Sequence, residues 1–578
     1  MKIVCLVKQV PRPDSIEFDP ETKSLRREGV PLLLNPFDAA AITHAVEMKR
    51  GQAGGEVIAM TMGPPQAEGA LQTCLALGAD RCIHLSDRAF ALADTIGTSR
   101  TLALAIQKEG DVELVLCGRK TVDSETWQVP PETAAFLGWP HLTSIVDSEL
   151  SNGRLRATRE TDAGYETYEL DGPAVLSLVQ AHEAEGWRDG NVEVWTAADL
   201  VGQVHENDKR FGQSGSPTRV LAVRDVTPER ARKHAKSATE VADRVRKLLA
   251  ERPQEETQWE KPERLGERRG KSYDSWTFVE TVDGRATRTS LELIAKSREL
   301  AGKLGGESVA LVVGNDASTV GETLGRHGAD RVVVVDDERL DGYHPELWSA
   351  ALVQVLKRLR PHVLAIPATA NGRDLGPRAA GELELGMTGD CVNLGIDRAG
   401  RLIQTKPAYG GNIVSIIMGA TTPQLATVRP RMFSVLEPRE HSARVERFEL
   451  DQLPEPRSAL VDQRAASAFD LDEQDVVVLL GPDAPAGWTS EGVALGGTRE
   501  TCARGDLPGN RQIGLYGRPV APRVLIAVGV PGDFEQLTGI VKSAVIVSVA
   551  GGEGMDDGAD VVFRGDPHDV VAALAHER

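Results

Sequence analysis

Two stretches decide the fold: GGEVIAMTMGPPQAEGALQTCLALGADR at 54–81 and GGESVALVVGNDASTVGETLGRHGADR at 305–331. Each opens on Gly-Gly-Glu, enters an apolar segment and closes on Gly-Ala-Asp-Arg, and an apolar run ending in Asp follows each. Further matches keep the same order. Residues 112–117 match 363–367, Gly153-Arg154-Leu155 matches Gly400-Arg401-Leu402, and the stretch from Pro173 matches the stretch from Pro423. The offset stays near 250 throughout, the mark of an internal duplication. Chance supplies one such tetrapeptide, not five matches in order.

Each copy alternates short β-branched strands with helical segments, as a parallel α/β sheet requires. In the second copy Thr289 and Glu292 have capping-box spacing. They predict the start of a helix through Leu291, Ile294 and Leu304 that Gly305-Gly306 stops. The first copy carries an extra Pro-rich, charged segment at 11–36, read as a hairpin or loop over the sheet edge.

Outside the copies, two charged stretches with few apolar residues read as linkers, one at 227–272 that begins with a charged helical stretch at 228–252, and one at 437–472. The organisation expected is lobe one at 1–226, lobe two at 273–436 and a smaller C-terminal lobe three at 473–578. The fold class is α/β, with two related parallel-sheet, nucleotide-binding-like lobes and a third, smaller α/β lobe.

Lobe three contains LGGTRETCARGDLPGNRQIGLYGRPVAPRVLIAVGVPGDFEQLTGIVKSAVIVSVAGG at 495–552. Its apolar runs at 524–528 and 544–549 read as buried parallel strands. Gly529-Val530-Pro531-Gly532 then turns the chain towards a helix. Such glycine turns let a ligand approach main-chain N–H groups. Gly514-Leu515-Tyr516-Gly517 offers a second approach, and Arg499 a fixed positive charge. The competing account is that the glycines only turn the chain. Neither G-x-G-x-x-G after a strand nor G-x-x-x-x-G-K-[ST] is found.

The chain has 578 residues, 41% hydrophobic and 26% charged, with a net charge of −19. That charge argues against nucleic acid or an anionic membrane as partner. No apolar run approaches the ~20 residues of a membrane helix. The N-terminus has no signal-peptide layout, so a cytoplasmic location is expected. Six scattered cysteines form no C-x-x-C pair, and twelve histidines form no ligand-spaced pair, so no metal site is expected. No catalytic Ser-His-Asp or Cys-His set stands out.

Anion-facing candidates occur in both copies. In lobe one, Asn35 and Asp38 precede a helix that Asp38 is placed to cap. Residues 117–130, with Gly118, Asp123, Thr126, Gln128 and Val129, follow an apolar strand. Both segments fall at strand C-terminal ends, where open α/β sheets bind ligands. In lobe two, Arg373, Arg378, Lys406, Arg429 and Arg431 make a basic cluster in an acidic chain. Ordinary surface salt bridges are its competing account.

These motifs resemble the electron transfer flavoproteins, normally separate β and α subunits, here with the β-like part first. VKQV (7–10), the stretch 25–31, NPFD (35–38), 117–130, 194–200 and 215–219 are similar to the β subunit. The stretches 305–337, 371–378, 388–391, 405–412 and 426–430 are similar to the first α domain, and lobe three to the flavin-carrying α domain. The resemblance implies an electron carrier, with no substrate chemistry of its own. It would take electrons from a flavin-dependent dehydrogenase and pass them to a downstream oxidoreductase or quinone pathway. It implies FAD in lobe three and AMP in lobe one; some members hold a second FAD at the AMP position and bifurcate electrons. Carried over by position, the FAD-type residues are Thr498, Arg499, Ile513, Gly514, Leu515, Tyr516, Gly529, Pro531, Gly532, Gln536, Ala550 and Asp566. The AMP or second-FAD residues are Asn35, Asp38, Gly118, Asp123, Thr126, Gln128 and Val129.

The departures are informative. Gln536 stands where the family has a flavin-facing His, removing a charge worth roughly 1–4 kcal/mol near the ring. Leu515, Tyr516, Pro531 and Ala550 replace side-chain donors, each hydrogen bond being worth about 0.5–1.5 kcal/mol. The basic loop that docks dehydrogenases is missing, replaced by the short stretch 181–191 with Trp187 as a different anchor. The alternative reading is therefore a flavin-free, AMP-binding protein with a vestigial FAD domain.

Overall fold

The computed structural model describes all residues except 16, 19–24, 27–28, 51–53, 152–153, 226–228, 252–257, 266–272, 316, 409–412, 466–470, 472–473, 486–487, 489–492, 541 and 575–578. The Tyr409–Asn412 part of the sequence motif therefore lies outside the described residues.

The duplication is one of topology. In lobe one, strands run side by side in the order Val192–Trp195, Arg81–Leu85, Glu56–Met62, Lys2–Leu6, Leu114–Gly118, Ala174–Leu178 and His141–Ser151, all parallel. Lobe two repeats that order with Arg444–Arg447, Arg331–Asp336, Ser308–Gly314, Ser275–Val279, Val363–Pro367, Gln424–Val428 and Met387–Cys391. Strands such as Ser308–Gly314 are buried along their whole length, as a sheet covered on both faces demands.

The repeated letters have a physical cause. Gly78 and Gly328 take left-handed backbone conformations at φ 114° and 106°. The Asp that follows then accepts a hydrogen bond from the neighbouring strand, Asp80 from Val57 N and Asp330 from Ser308 N, each at 2.7 Å. Arg81 pairs with Glu56 at 2.8 Å, and Arg331 with Glu307 at 3.1 Å. Glycine, acid and cation thus staple the same two strands in both copies.

The lobes also exchange strands. Ser458–Ala465, from the stretch read as a second linker, extends lobe one's sheet beside Gly164–Leu170. Thr218–Asp225 leaves lobe one and pairs with Ile413–Gly419 of lobe two. Each lobe completes its partner's antiparallel hairpin.

Lobe three is a parallel sheet in the order Lys233–Ala235, Val561–Phe563, Val545–Val549, Val524–Val528, Val476–Leu480, Ala494–Gly497. Its first strand and the helix Ala238–Glu251 come from the supposed tether at 227–272, which is corrected in this part. Val241, Ala242 and Val245 are buried in the lobe's core. A few apolar residues at helical spacing suffice there, because the opposite face is solvated and charged. The stretch 437–472 likewise supplies Arg444–Arg447 and Leu453 to lobe two.

Two local expectations change. The helix Arg288–Leu304 is capped by Thr287, whose side chain accepts from Ser290 N, while Thr289 lies inside the first turn. Glu292 bonds Arg288 Nε and Arg431 N instead of completing a capping box. Gly305 ends the helix in the left-handed region, as expected. The 11–36 segment forms short antiparallel pairs, Gln9–Pro11 with Leu32–Leu34 and Glu17–Phe18 with Leu25–Arg26.

Candidate functional site

The FAD-type residues gather at the C-terminal edge of lobe three's sheet, where the open ends of parallel strands expose loops to a ligand. Ala494–Gly497 ends at buried Thr498, which caps the helix Arg499–Ala503. Arg499 opens that helix and lies 5.1 Å over the Tyr516 ring, with 36% of its side chain exposed. Val524–Val528 runs into Gly529 and Gly532, at φ 60° and 90°. A Cβ on Gly529 would collide with Asp483 and Ala484 backbone, and one on Gly532 with Gly554 and Met555 backbone. These glycines are required by the chain's own close packing. Ile513 is buried. Ala550 is exposed just past Val545–Val549, and Asp566 is exposed past Val561–Phe563.

The electrostatics of this edge were not foreseen. Asp533 is the N-cap of the helix Phe534–Thr538, so a carboxylate already sits at that helix's positive end. Gln536 Oε1 accepts from Gly532 N at 2.7 Å and Asp533 N at 3.2 Å, so it caps its own helix. Glu535 lies 3.9 Å from Arg499. Burial pushes Glu535 to about 7 against the pull of Arg499, and Glu500, Glu183 and Asp533 add to the rise. These acids were visible in the sequence, but only the fold sets Glu535 beside Arg499 and brings the other three to act on Glu535.

The Gly514–Gly517 turn does a second job. Leu515 and Tyr516 are buried in one apolar cluster with Val10, Phe37 and Val122 of lobe one. Tyr516 meets Phe37 edge to face, its hydroxyl donates to Glu183 at 3.2 Å, and Arg119 Nη2 donates to Tyr516 O and Gly517 O. The loop expected to face a flavin is also the latch between lobes three and one.

The residues were tested against FAD by their donor chemistry. They fit at the two ends: Arg499 offers an accessible cation and Asp566 an exposed carboxylate at its strand end. The middle is poor in donors. Pro531 has no N–H, and the Gly532 and Asp533 N–H groups already serve Gln536.

In lobe one, the candidates gather beyond the ends of Lys2–Leu6 and Leu114–Gly118. Asn35 is fully buried, donating to Lys120 O and accepting from Val122 N. Asp38 does not act as the expected cap. It accepts from Lys8 N at 2.9 Å and Gly118 N at 3.0 Å, tying the two strand ends together. Burial pushes it to about 7 despite those donors. Asp123 pairs with Lys8 at 2.6 Å; burial alone would raise it, but Lys8 and the neighbouring hydroxyls hold it below the usual carboxylate range. Gln128 donates to Glu132 and Met387 O and accepts from Gly389 N, clamping lobe one to lobe two. Thr126 and Val129 flank that clamp and are partly exposed.

Trp127, missed by the sequence reading, is buried between them with φ 62°. Arg373 lies 4.4 Å from its ring centroid and Arg119 5.0 Å. Behind it runs a buried ion network. Lys120 and Arg429 each reach Glu125 at 3.3 Å, and Arg373 and Arg429 share Asp390 at 2.8 and 3.2 Å. Burial pushes Lys120 down to about 8. Burial would raise Asp390, but the two arginines hold it well below the carboxylate range. The basic cluster is thus held by carboxylates in a buried network, not by ordinary surface salt bridges.

Comparison with known proteins agrees with this layout. The family model described as "Electron transfer flavoprotein domain" matches residues 22–200 and 275–453, one copy per lobe. "Electron transfer flavoprotein FAD-binding domain" matches 490–541. The chain is 38% identical over 241 residues to the electron transfer flavoprotein subunit beta of Thermoanaerobacterium thermosaccharolyticum, covering 40% of this chain and 90% of that one. It is 32% identical over 290 residues to the same organism's subunit alpha, covering 48% and 88%. It is 44% identical over 180 residues to the caffeyl-CoA reductase-Etf complex subunit CarD of Acetobacterium woodii, covering 31% and 69%. No helix among the described residues is long and apolar enough to cross a membrane. With β-like and α-like parts in one chain, followed by the FAD-binding domain, this protein belongs to the electron transfer flavoprotein family and is a carrier of that type.

Proposed function

We propose that the chain takes electrons from a flavin-dependent dehydrogenase and passes them to a downstream oxidoreductase, using one FAD at the edge of lobe three and one AMP in lobe one. The observation that carries this reading is Arg499, a part-exposed cation held at the seam between lobes three and one. Bound there, FAD supplies a ring that accepts and releases electrons singly or in pairs. Arg499 would offset negative charge at that ring, and Asp566 would meet the adenosine end. Glu535 opposes Arg499 and weakens the site for any anion. In lobe one, Thr126 and Val129 are the members left to meet AMP, since Asn35, Asp38, Gly118, Asp123 and Gln128 are engaged by the protein. One relative's name joins it to a caffeyl-CoA reductase complex, which supports a reductase or dehydrogenase as the partner class. The short stretch with Trp187, 64% exposed, is the proposed anchor in place of a longer docking loop.

A second reading, a flavin-free nucleotide-binding protein, is favoured by Asp533 at the helix end and by Gln536 occupying the nearby N–H groups. A two-flavin, bifurcating variant is opposed by Trp127, which fills the middle of the lobe-one segment. The test is purification from the native host, a visible spectrum and identification of released nucleotides by mass. One FAD and one AMP per chain are expected. Colourless protein that takes up no added FAD would overturn the carrier reading in favour of the second.

A further inference from the structure

A hairpin tip of lobe one reaches both other lobes. Between the strands Arg154–Glu160 and Gly164–Leu170 the chain turns at Asp162 and Ala163. Thr161 N donates to Gly164 O at 2.7 Å and Gly164 N to Thr161 O at 3.3 Å, and the Thr161 hydroxyl also donates to Gly164 O. A tight turn braced in this way fixes where the Asp162 side chain stands.

The two carboxylate oxygens of Asp162 go to different lobes. One accepts from Ala370 N at 2.7 Å, at the first residue of lobe two's helix Ala370–Leu383. That N–H has no acceptor within its own helix, and a negative charge there offsets the helix's positive end. The other oxygen accepts from Arg518 Nη2 of lobe three at 3.2 Å. On the same hairpin Arg159 donates to Asn371 at 3.0 Å, tying it to that helix a second time.

Arg518 carries this contact to the flavin edge. Its main chain closes the Gly514–Gly517 turn, with its N–H on Gln512 O at 2.9 Å and its carbonyl accepting from Gly514 N at 3.4 Å. The turn holds Ile513, Gly514, Leu515 and Tyr516, four of the FAD-type positions. Phe37 and Arg119 hold the middle of the turn, through the Tyr516 ring and the carbonyls of Tyr516 and Gly517. Asp162 holds its end by charge. The side chains of Asp162 and Arg518 are 33% and 26% exposed, so solvent screens the pair only in part.

We propose that Asp162 is a positioning residue for the flavin edge. It seats lobe one's hairpin on lobe two's helix and, through Arg518, sets the turn on which lobe three presents its FAD-type positions. Its bearing on FAD rests on the carrier reading; the contact itself does not, and its test needs no flavin.

The experiment is hydrogen–deuterium exchange of the whole chain, with flavin content matched between variants. Asp162→Asn keeps an acceptor for Ala370 N and removes the charge facing Arg518. Exchange across 512–518 is expected to rise about two- to fivefold, as loss of a part-exposed ion pair requires. The helix Ala370–Leu383 and the strand Val524–Val528 should keep their wild-type rates. Arg518→Gln should raise exchange in the same segment, and adding Asp162→Asn to it should raise it no further, since both changes break one contact. About 1 M salt should bring wild type up to the Asp162→Asn rate, a result that does not depend on the second variant's folding. Wild-type exchange across 512–518 in Asp162→Asn, effects that multiply in the double variant, or a wild-type rate that salt leaves unchanged would overturn the proposal.

Discussion

Lobe three meets its neighbours in two opposite ways. Its seam with lobe one is apolar and acid-rimmed: Leu515 and Tyr516 sink beside Phe37, and Glu535, 3.9 Å from Arg499, lies under the influence of Glu500, Glu183 and Asp533. Its seam with lobe two is cationic and open, with Lys542 facing Arg429. The first seam closes on itself through packing and hydrogen bonds. The second brings cations of both lobes together, held by carboxylates such as Asp390 and Asp475. The difference teaches that one small domain is latched to lobe one by packing and set against lobe two by charge.

The largest effect is expected from breaking the closed seam. Tyr516→Ala removes a buried ring and should cost about 3–5 kcal/mol. Small-angle scattering should show lobe three released from an otherwise unchanged base, and an unaltered profile would mean that the latch is elsewhere. A control lies outside both seams. Gln128→Ala should cost about 1–3 kcal/mol by leaving the buried Gly389 N–H without its acceptor. Denaturant unfolding should register that loss while lobe three stays docked.

A smaller, pH-dependent effect sharpens the comparison. Glu535 binds its proton more tightly folded, at about 7, than unfolded. Its contribution to stability is therefore complete below the unfolded value and lost as pH rises through about 7. Glu535→Gln should match wild type in acid and melt at a higher temperature at pH 8. Parallel melting curves at both pH values would show that Glu535 is not held in the neutral form.

The sequence made the duplication legible because glycine, acid and cation recur for a strict reason, the same strand staple in each copy. It also placed FAD-type positions such as Thr498, Arg499 and Gly529 along one sheet edge. It hid the exchanged strands, because Ser458–Ala465 is mostly exposed and has no apolar alternation to mark it. The helix Ala238–Glu251 was legible as a helical stretch, but its charged face hid its packing into lobe three. Trp127 had no role in the sequence reading, and nothing local shows that three cations from two lobes converge on its ring. Asp533 and Glu535 had no role in the sequence reading; the fold sets Glu535 3.9 Å from Arg499. In each case the missing information was a long-range contact, which periodicity and turn chemistry do not encode.

The most direct test of the account is an equilibrium titration of flavin-stripped protein with FAD, followed by flavin fluorescence, for wild type and Glu535→Gln. The account predicts one FAD per chain in both, bound about tenfold more tightly by the variant, since removing an opposing charge near Arg499 is worth roughly 1–4 kcal/mol. Binding by neither protein, or equal affinity in the two, would contradict it.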